Sequence, residues 1–225
     1  LVIWMSGSSA YRVLALHGYS QNAALFYKKT GAARRALRKE NVELTYIDAP
    51  CELQSNQVHG TIPEGETSRG WFTFDDTQLI GAQEAVEKLC KQMEDEGPFD
   101  GILAFSQGAC LAGLLCAKHA QSPIPAWKDL KFIIFVSSFV PSHETPEKEC
   151  FNQFVEESNK IDIPTFHFYG ATDQVIVPER SVAFANFFKD PVLFEHPGGH
   201  FIPANGEPMR QLRTFVRQAL GKLRA

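Results

Sequence analysis

Ser106 lies between two apolar stretches of different length. Residues 101–105 form a short apolar run, and residues 107–119 are apolar on nearly every side. The first run predicts a buried strand and the second a buried helix, which places Ser106 at a strand-to-helix corner. A serine on such a tight turn projects its hydroxyl, and the helix N-terminus beside it can stabilise an oxyanion. These features are typical of a nucleophile elbow, and they make Ser106 the first candidate for a catalytic residue.

The elbow pattern in this chain is imperfect. The usual form is G-x-S-x-G, and Ala104 stands where the first glycine is expected. Alanine is the next smallest residue, so close packing of strand and helix is still expected. Taken alone, a serine between a strand and a helix is more often an N-cap. The catalytic interpretation therefore requires a base and an acid elsewhere in the chain.

Asp173 and His200 each follow a later predicted strand. In parallel sheets ligands bind outside the carboxyl ends of the strands, so residues at these positions carry the most weight. An Asx-turn or a helix cap is the alternative interpretation of Asp173. His200 follows Gly198 and Gly199, which let the backbone place an imidazole closely. The order Ser106, Asp173, His200 is that of α/β-hydrolases, with serine as nucleophile, histidine as base and aspartate as its orienting acid.

The oxyanion hole is predicted to use two backbone N–H groups. One belongs to Gln107, directly after the nucleophile, and the other to Tyr19, in the turn after the first strand. His17 and Gly18 mark that turn. Gly18 allows the backbone to approach a substrate, and we expect His17 to support the turn and not to transfer protons.

The remaining histidines do not suggest a metal. His167 lies inside a predicted strand, as a core residue would, and His59, His119, His143 and His196 fall in loops or at the ends of elements. None pairs with another histidine or a cysteine at the spacing of metal ligands, so we predict no metal site.

Strand-like and helix-like patterns alternate along the chain and must position these residues. Strands are predicted over residues 11–16, 42–47, 101–105, 132–137, 165–169 and 192–196. Helices are predicted over residues 23–40, 79–94, 107–119, 151–157, 182–188 and 207–223. This alternation predicts an α/β fold, of the α/β-hydrolase type, with a mostly parallel central sheet and helices on both faces. No repeat or linker interrupts the pattern, so residues 1–225 are expected to form a single domain.

Composition excludes several classes of function. With 22 basic and 26 acidic residues the formal net charge is -4, which argues against a nucleic-acid partner. No apolar run is long enough to cross a bilayer, so integral membrane association is not expected. The five cysteines form no C-x-x-C pair and predict reduced thiols in the cytoplasm. Residues 1–4 are too short and uncharged for a signal peptide, and residues 1–10 are expected to be disordered or foreign to the natural chain, which would then start near Met5.

Seven segments of the chain resemble the FSH family of serine hydrolases, which has animal relatives known as ovarian-cancer-associated serine hydrolases. The matching segments are L-H-G-Y-S-Q-N at 16–22, Y-I-D-A-P at 46–50, R-G-W-F at 69–72, G-P-F-D-G-I at 97–102, F-S-Q-G-A at 105–109, Y-G-A-T-D at 169–173 and H-P-G-G-H-F-I-P at 196–203. The family's triad carries over onto Ser106, Asp173 and His200, and Ala104 is the departure. The resemblance implies carboxylesterase-like activity on acyl esters, thioester cleavage in some members, and no cofactor.

Four aromatic residues are candidates for an acyl pocket: Trp71, Phe72, Phe139 and Phe201. They lie near predicted strand ends or beside catalytic candidates, and apolar clefts suit acyl chains. Plain core packing is the alternative, particularly for Phe72 and Phe139, whereas Phe201 adjoins the catalytic histidine. Residues 51–69 predict a long loop, and the 51–70 segment is a candidate lid. Cys110, one turn after Ser106, is interpreted as a packing residue.

The sequence thus predicts a serine hydrolase that cleaves carboxylic esters through a Ser-His-Asp triad and an acyl-enzyme intermediate. Its expected partner is a small acyl ester or thioester. An acyl-protein thioesterase or lysophospholipase is the first alternative, since these share a Phe-Ser-Gln-Gly core. A non-catalytic binding protein on the same fold is the second, and the filled triad positions disfavour it.

Overall fold

The computed structural model describes residues 10–58, 65–74, 78–141, 145–204 and 206–221. Its strands, in chain order, are β1 (Tyr11–Leu16), β2 (Val42–Ile47), β3 (Cys51–Glu52), β4 (Arg69–Gly70), β5 (Thr73–Phe74), β6 (Leu79–Ile80), β7 (Gly101–Phe105), β8 (Phe132–Val136), β9 (Thr165–Gly170) and β10 (Val192–His196). Its helices are α1 (Ala23–Lys29), α2 (Gly31–Arg38), α3 (Ala82–Glu96), α4 (Gln107–Gln121), α5 (Pro146–Asn152), α6 (Pro178–Ala185) and α7 (Glu207–Ala219).

Six of the strands form one parallel sheet in the order β10-β9-β8-β7-β1-β2. The predicted α/β architecture with a parallel sheet is therefore confirmed. The chain runs outward from β1 to β2, returns to β7 on the other side of β1, and then proceeds in one direction to β10. The order of strands thus reverses between β1 and β7, and such a switch point opens a crevice at the carboxyl ends of the strands.

Both faces of the sheet are apolar, because successive side chains of a strand point to opposite sides. In β1, Leu14 and Leu16 belong to a core that also contains residues of α3, α4, α5 and α6, whereas Val13 and Ala15 belong to a second core with residues of α1, α2 and α7. In β7 and β8 every residue is buried. Two hydrophobic cores consequently hold the strand ends in fixed relative positions.

Several predicted element boundaries were wrong, and local chemistry explains some of the shifts. The helix predicted over 23–40 is divided at Thr30, whose hydroxyl donates to the carbonyl of Phe26 at 2.9 Å and ends α1 there. Leu79 and Ile80 belong to a strand, and Gly81, at a φ of 85°, turns the chain into α3. The fifth and sixth helices begin earlier than predicted, at Pro146 and Pro178, because proline is favoured in the first turn of a helix.

The segment predicted as a long loop is partly ordered. Its two ends pair as the antiparallel strands β3 and β4, and residues 55–57 form a turn of 3₁₀ helix. The predictions for residues 1–9, His59 and His143 and for the middle of the candidate lid lie outside the described residues.

Candidate active site

Ser106 lies at the sharp corner between β7 and α4. Its backbone angles are φ 53° and ψ −115°, a left-handed conformation that costs a serine on the order of 1–3 kcal/mol. The neighbouring strand β8 fixes the backbone of this corner, because the N–H of Ser106 donates to the carbonyl of Val136 at 2.9 Å. This is the geometry expected of a nucleophile elbow.

The two small-residue positions of the elbow differ in how much room they have. A Cβ atom added to Gly108 would approach the carbonyl oxygens of His17 and Leu16 to 2.6 and 2.7 Å, which no side chain tolerates. Ala104 already carries a Cβ and is fully buried in the core on the α3 side. The motif therefore needs glycine after the serine, and the sheet accommodates alanine before it.

The structure brings Ser106, His200 and Asp173 together. Nε2 of His200 lies 3.0 Å from Oγ of Ser106, and Nδ1 lies 2.7 Å from Oδ2 of Asp173. The imidazole packs against the ring of Phe105, with centroids 4.8 Å apart, and one fifth of it is exposed. The imidazole thus bridges a hydroxyl and a carboxylate in the arrangement that general-base catalysis requires.

Both carboxylate oxygens of Asp173 accept hydrogen bonds. Oδ1 accepts from the N–H groups of Val175 and Ile176 at 2.9 Å each, which is the Asx-type turn considered above, and Oδ2 also accepts from the hydroxyl of Ser137 at 3.0 Å. Burial raises the pKa of Asp173, but the hydrogen bonds from His200 and the two amides outweigh it, so the net pKa lies below its ordinary value. The carboxylate is therefore ionised and fixed toward the imidazole.

The loops that carry the acid and the base are bonded to each other. The N–H of Ala171 donates to the carbonyl of His196, and that of Thr172 donates to the carbonyl of Gly198. Gly170 lies so close to the loop after β10, which carries His200, that an added Cβ would sit 2.3 Å from the carbonyl oxygen of Gly198. The separation of Asp173 and His200 is consequently set by backbone contacts.

The turn after β1 is braced by buried groups. His17 accepts the N–H of Ala49 at Nε2, so its proton is on Nδ1, which donates to the carbonyl of Gly18 at 2.7 Å. Burial lowers the pKa of His17 to about 4, so the ring is neutral. The indole of Trp71 donates to the carbonyl of His17 at 2.8 Å. His17 thus has the supporting position that the sequence predicts for it.

The side chain of Gln107 joins the elbow to the segment after β4. Its Oε1 accepts from the N–H of Trp71 at 2.8 Å, and its Nε2 donates to the carbonyl of Phe72 at 2.7 Å. The amide is buried, with both ends of the bridge satisfied. The backbone of Gln107 lies in the first turn of α4, beside Ser106, where the predicted oxyanion donor is needed.

Ser106 faces a cavity of about 510 Å³. It is lined by Tyr19, Gln57, Thr73, Phe74, Ser106, Gln107, Phe139, Val175, Ile176 and Arg180. Both residues of the predicted oxyanion hole, Tyr19 and Gln107, therefore border the space in front of the serine. The lining is mostly apolar, with one charged side chain.

The four aromatic residues predicted to line an acyl pocket lie in different parts of the structure. Phe139 lines the cavity, whereas Trp71 and Phe72 are fully buried in the core and do not reach it. Phe201 is half exposed and lines a separate recess of about 220 Å³ with Phe105. The backbone of Trp71 and Phe72 is bonded to the Gln107 amide, and both rings belong to the core that also contains residues of α3 and of the sheet.

The remaining predicted groups are structural. Cys110 is fully buried, burial raises the pKa of its thiol, and all five cysteines are free. His167 lies in the core, and His119 stacks on Trp127 at 4.8 Å. Within the described ranges no group of three or more His, Cys, Asp or Glu side chains could hold a metal ion. No described helix has both the length and the apolarity to span a bilayer.

Three groups of the site were not predicted from the sequence: the hydroxyl of Ser137, the side-chain amide of Gln107 and the guanidinium of Arg180. Ser137 directly follows β8 in the structure, but the strand predicted over residues 132–137 includes it, so the rule that selected Asp173 and His200 did not select it. The bridging amide of Gln107 and the cavity-lining guanidinium of Arg180 leave no signal in the sequence, because their partners are distant backbone groups.

A protein-family model and several curated relatives match most of this chain. The model of the family described as "Serine hydrolase (FSH1)" matches residues 5–212. Esterase OVCA2 of Danio rerio is 35% identical over 229 residues, covering 92% of this chain and 96% of the relative. Esterase OVCA2 of Homo sapiens is 35% identical over 226 residues, covering 92% and 95%.

Solved structures show the same architecture. Acyl-protein thioesterase 2 of Zea mays matches with a TM-score of 0.64 at 17% identity, covering 96% of both chains. Esterase PE8 matches with a TM-score of 0.66 at 19% identity, covering 95% of this chain and 94% of that one. At such identities the likeness shows the α/β-hydrolase fold alone. Together with the family model and the esterase relatives, it establishes that this chain belongs to the FSH1 family of serine hydrolases.

Proposed function

We propose that this protein is a serine esterase that cleaves carboxylic esters through an acyl-enzyme intermediate. The observation that carries the proposal is the imidazole of His200, which lies 3.0 Å from the Ser106 hydroxyl and 2.7 Å from the Asp173 carboxylate. Membership of a serine hydrolase family and the esterase names of its relatives support the same chemistry.

The proposed reaction has two halves. Oγ of Ser106 attacks the ester carbonyl carbon while Nε2 of His200 takes its proton, and the imidazolium then protonates the departing alcohol. Water repeats the sequence on the acyl-enzyme, which releases the acid and restores the serine. Asp173, ionised and anchored by Ser137 and two amides, holds Nδ1 protonated and stabilises the imidazolium.

The tetrahedral oxyanion is assigned to the backbone N–H groups of Gln107 and Tyr19. Gln107 stands in the first turn of α4, where N–H groups have no helical partner, and both residues border the cavity before Ser106. Loss of one such donor typically raises a barrier by about 3 kcal/mol. Phe139 and the exposed Phe74 and Val175 supply apolar surface for an acyl chain.

Thioester cleavage is the second candidate. The same acyl-enzyme route applies with a thiol leaving group, and one protein that shares the fold is an acyl-protein thioesterase. We favour oxygen esters because the relatives with 35% identity are named esterases. The expected substrate is a small acyl ester, no cofactor is needed for the proposed steps, and the reduced cysteines support a cytoplasmic site of action.

Fluorophosphonate labelling tests the assignment. The wild-type protein should be labelled at Ser106 and should hydrolyse 4-nitrophenyl esters, and Ser106→Ala should lose both activities. Ser158→Ala, which removes an exposed hydroxyl on a surface turn, is the matched control and should keep both. An unreactive wild-type protein, or labelling that persists in Ser106→Ala, would overturn the proposal.

A further inference from the structure

Arg180 places a guanidinium in the wall of the Ser106 cavity. It lies on α6, is partly buried, and its Cζ stands 4.9 Å from the centroid of the Phe139 ring. Its Nη2 donates to the carbonyl of Val140 at 2.9 Å, which fixes one arm of the fork. The other donors of the fork have no acceptor among the described residues. They are therefore available to a molecule in the cavity.

The positive charge of Arg180 has no partner within the part of the chain that the structure describes. No described carboxylate forms an ion pair with the guanidinium, and all other side chains that line the cavity are uncharged. Asp173 directs its oxygens to His200, Ser137 and two amides. Burial raises the pKa of the nearby Cys110 thiol, so it stays neutral and supplies no counter-charge.

A cation that is partly withdrawn from water, with donors left over, is an anion site that the fold does not fill. The planar fork of arginine matches a carboxylate, which it binds through two parallel hydrogen bonds. Burial also lowers the pKa of Arg180, an effect that an anionic ligand would reverse. The apolar face of Phe139 beside the guanidinium suits a hydrocarbon chain that ends in a charged group.

We propose that Arg180 is a specificity-determining residue that binds a carboxylate of the substrate, so that the preferred esters are those bearing a free carboxylate. This inference rests on the proposed esterase function and narrows its substrate class. The carboxylate could belong to the acyl part, as in a hemiester of a dicarboxylic acid, or to the alcohol part. The two cases share the same recognition by Arg180 and differ in which end of the ester faces it.

Two matched pairs of esters test the proposal. On the acyl side, 4-nitrophenyl hydrogen adipate is compared with 4-nitrophenyl methyl adipate, which has the same chain with its charge capped. On the alcohol side, 4-acetoxybenzoate is compared with methyl 4-acetoxybenzoate. For each pair the charge preference is kcat/KM of the charged ester divided by kcat/KM of the neutral one. This ratio is independent of the fraction of enzyme that is correctly folded.

The charge preference of one pair is expected to be about tenfold higher in the wild type than in Arg180→Met, as for a partly exposed charge-assisted contact. Arg180→Lys, which keeps the charge without the fork, should fall between them, and added salt should lower the wild-type preference. Arg38→Met, on the exposed surface of α2, is the control and should keep the wild-type value.

Preference on the adipate pair assigns the carboxylate to the acyl part, and preference on the benzoate pair assigns it to the alcohol part. Equal preferences in the wild type and Arg180→Met for both pairs would overturn the proposal. Failure of the underlying esterase function has a different signature, since the wild type would then cleave none of the four esters and Ser106 would not react with fluorophosphonate.

Discussion

Replacing Trp71 with phenylalanine tests whether this residue braces the oxyanion turn or contacts substrate. The substitution keeps an aromatic ring and removes the indole N–H that donates to the buried carbonyl of His17 at 2.8 Å. A buried carbonyl left without its donor costs about 1–3 kcal/mol. The smaller ring adds a packing loss of its own, which a control must remove.

Trp127→Phe is that control. Trp127 is also buried, at 7% exposure, but lies far along the chain from the site and stacks on His119. We expect Trp71→Phe to lose about 2 kcal/mol more than the control in urea unfolding, or about 4–8 °C in Tm.

The activity of Trp71→Phe should fall equally for all substrates. The turn that carries Tyr19 becomes less firmly held, so kcat/KM should drop by about three- to tenfold, less than the loss of a complete oxyanion donor. The ratio of rates on long and short acyl esters should not change, because Trp71 does not border the cavity. Phe139→Ala, at the cavity wall, should change that ratio. If Trp71→Phe alters it as much as Phe139→Ala does, Trp71 contacts the acyl chain and the bracing assignment is wrong.

Two further predictions concern buried titratable groups. Burial lowers the pKa of His167 to about 3, so as the pH falls below about 6.5 the unfolded chain takes up a proton on this side chain before the folded protein does. The unfolding equilibrium constant of the wild type should therefore rise by up to about tenfold per pH unit relative to that of His167→Phe. Acid-unfolding curves that run parallel for the two proteins would contradict this. Glu40 is buried between Arg213 and Arg217 at 2.6 Å each, so Glu40→Gln should cost about 2 kcal/mol in urea unfolding. Glu207→Gln, in an exposed pair with Arg210, should cost much less, and equal losses for the two variants would refute the difference.

The parallel sheet and the proposed triad residues could be predicted from the sequence because both depend on local patterns with strong physical causes. Near-continuous apolar runs mark strands that are buried on both faces, and β7 and β8 are buried throughout. Ser106 follows such a run directly, Asp173 and His200 lie within four residues of the ends of β9 and β10, and parallel strands bring their carboxyl ends to one edge. The order of the residues in the chain then suggested their roles.

The acyl pocket could not be predicted in the same way. An aromatic residue near a strand end can face the core or the cavity, and the choice depends on contacts that are remote in sequence. Trp71 points inward because its N–H bonds to Gln107, which is 36 residues away, and its indole bonds to His17, which is 54 residues away. Arg180 reaches the cavity because its fork is held by Val140, which is 40 residues away.

The side chains of the site are positioned by backbone contacts at the strand ends and by residues held in an unfavourable backbone conformation. Ser20, Ser106 and Ser137, which follow β1, β7 and β8, all have positive φ, at 60°, 53° and 49°. Each such residue costs on the order of 1–3 kcal/mol, so the surrounding structure must over-determine it. At Ser106 the determining contact is the close approach of Gly108 to the end of β1. The switch point between β1 and β7 therefore supplies both the crevice and the contact that orients the serine within it. A side chain at position 108 would break that contact, whereas the alanine at position 104 is accommodated in the core.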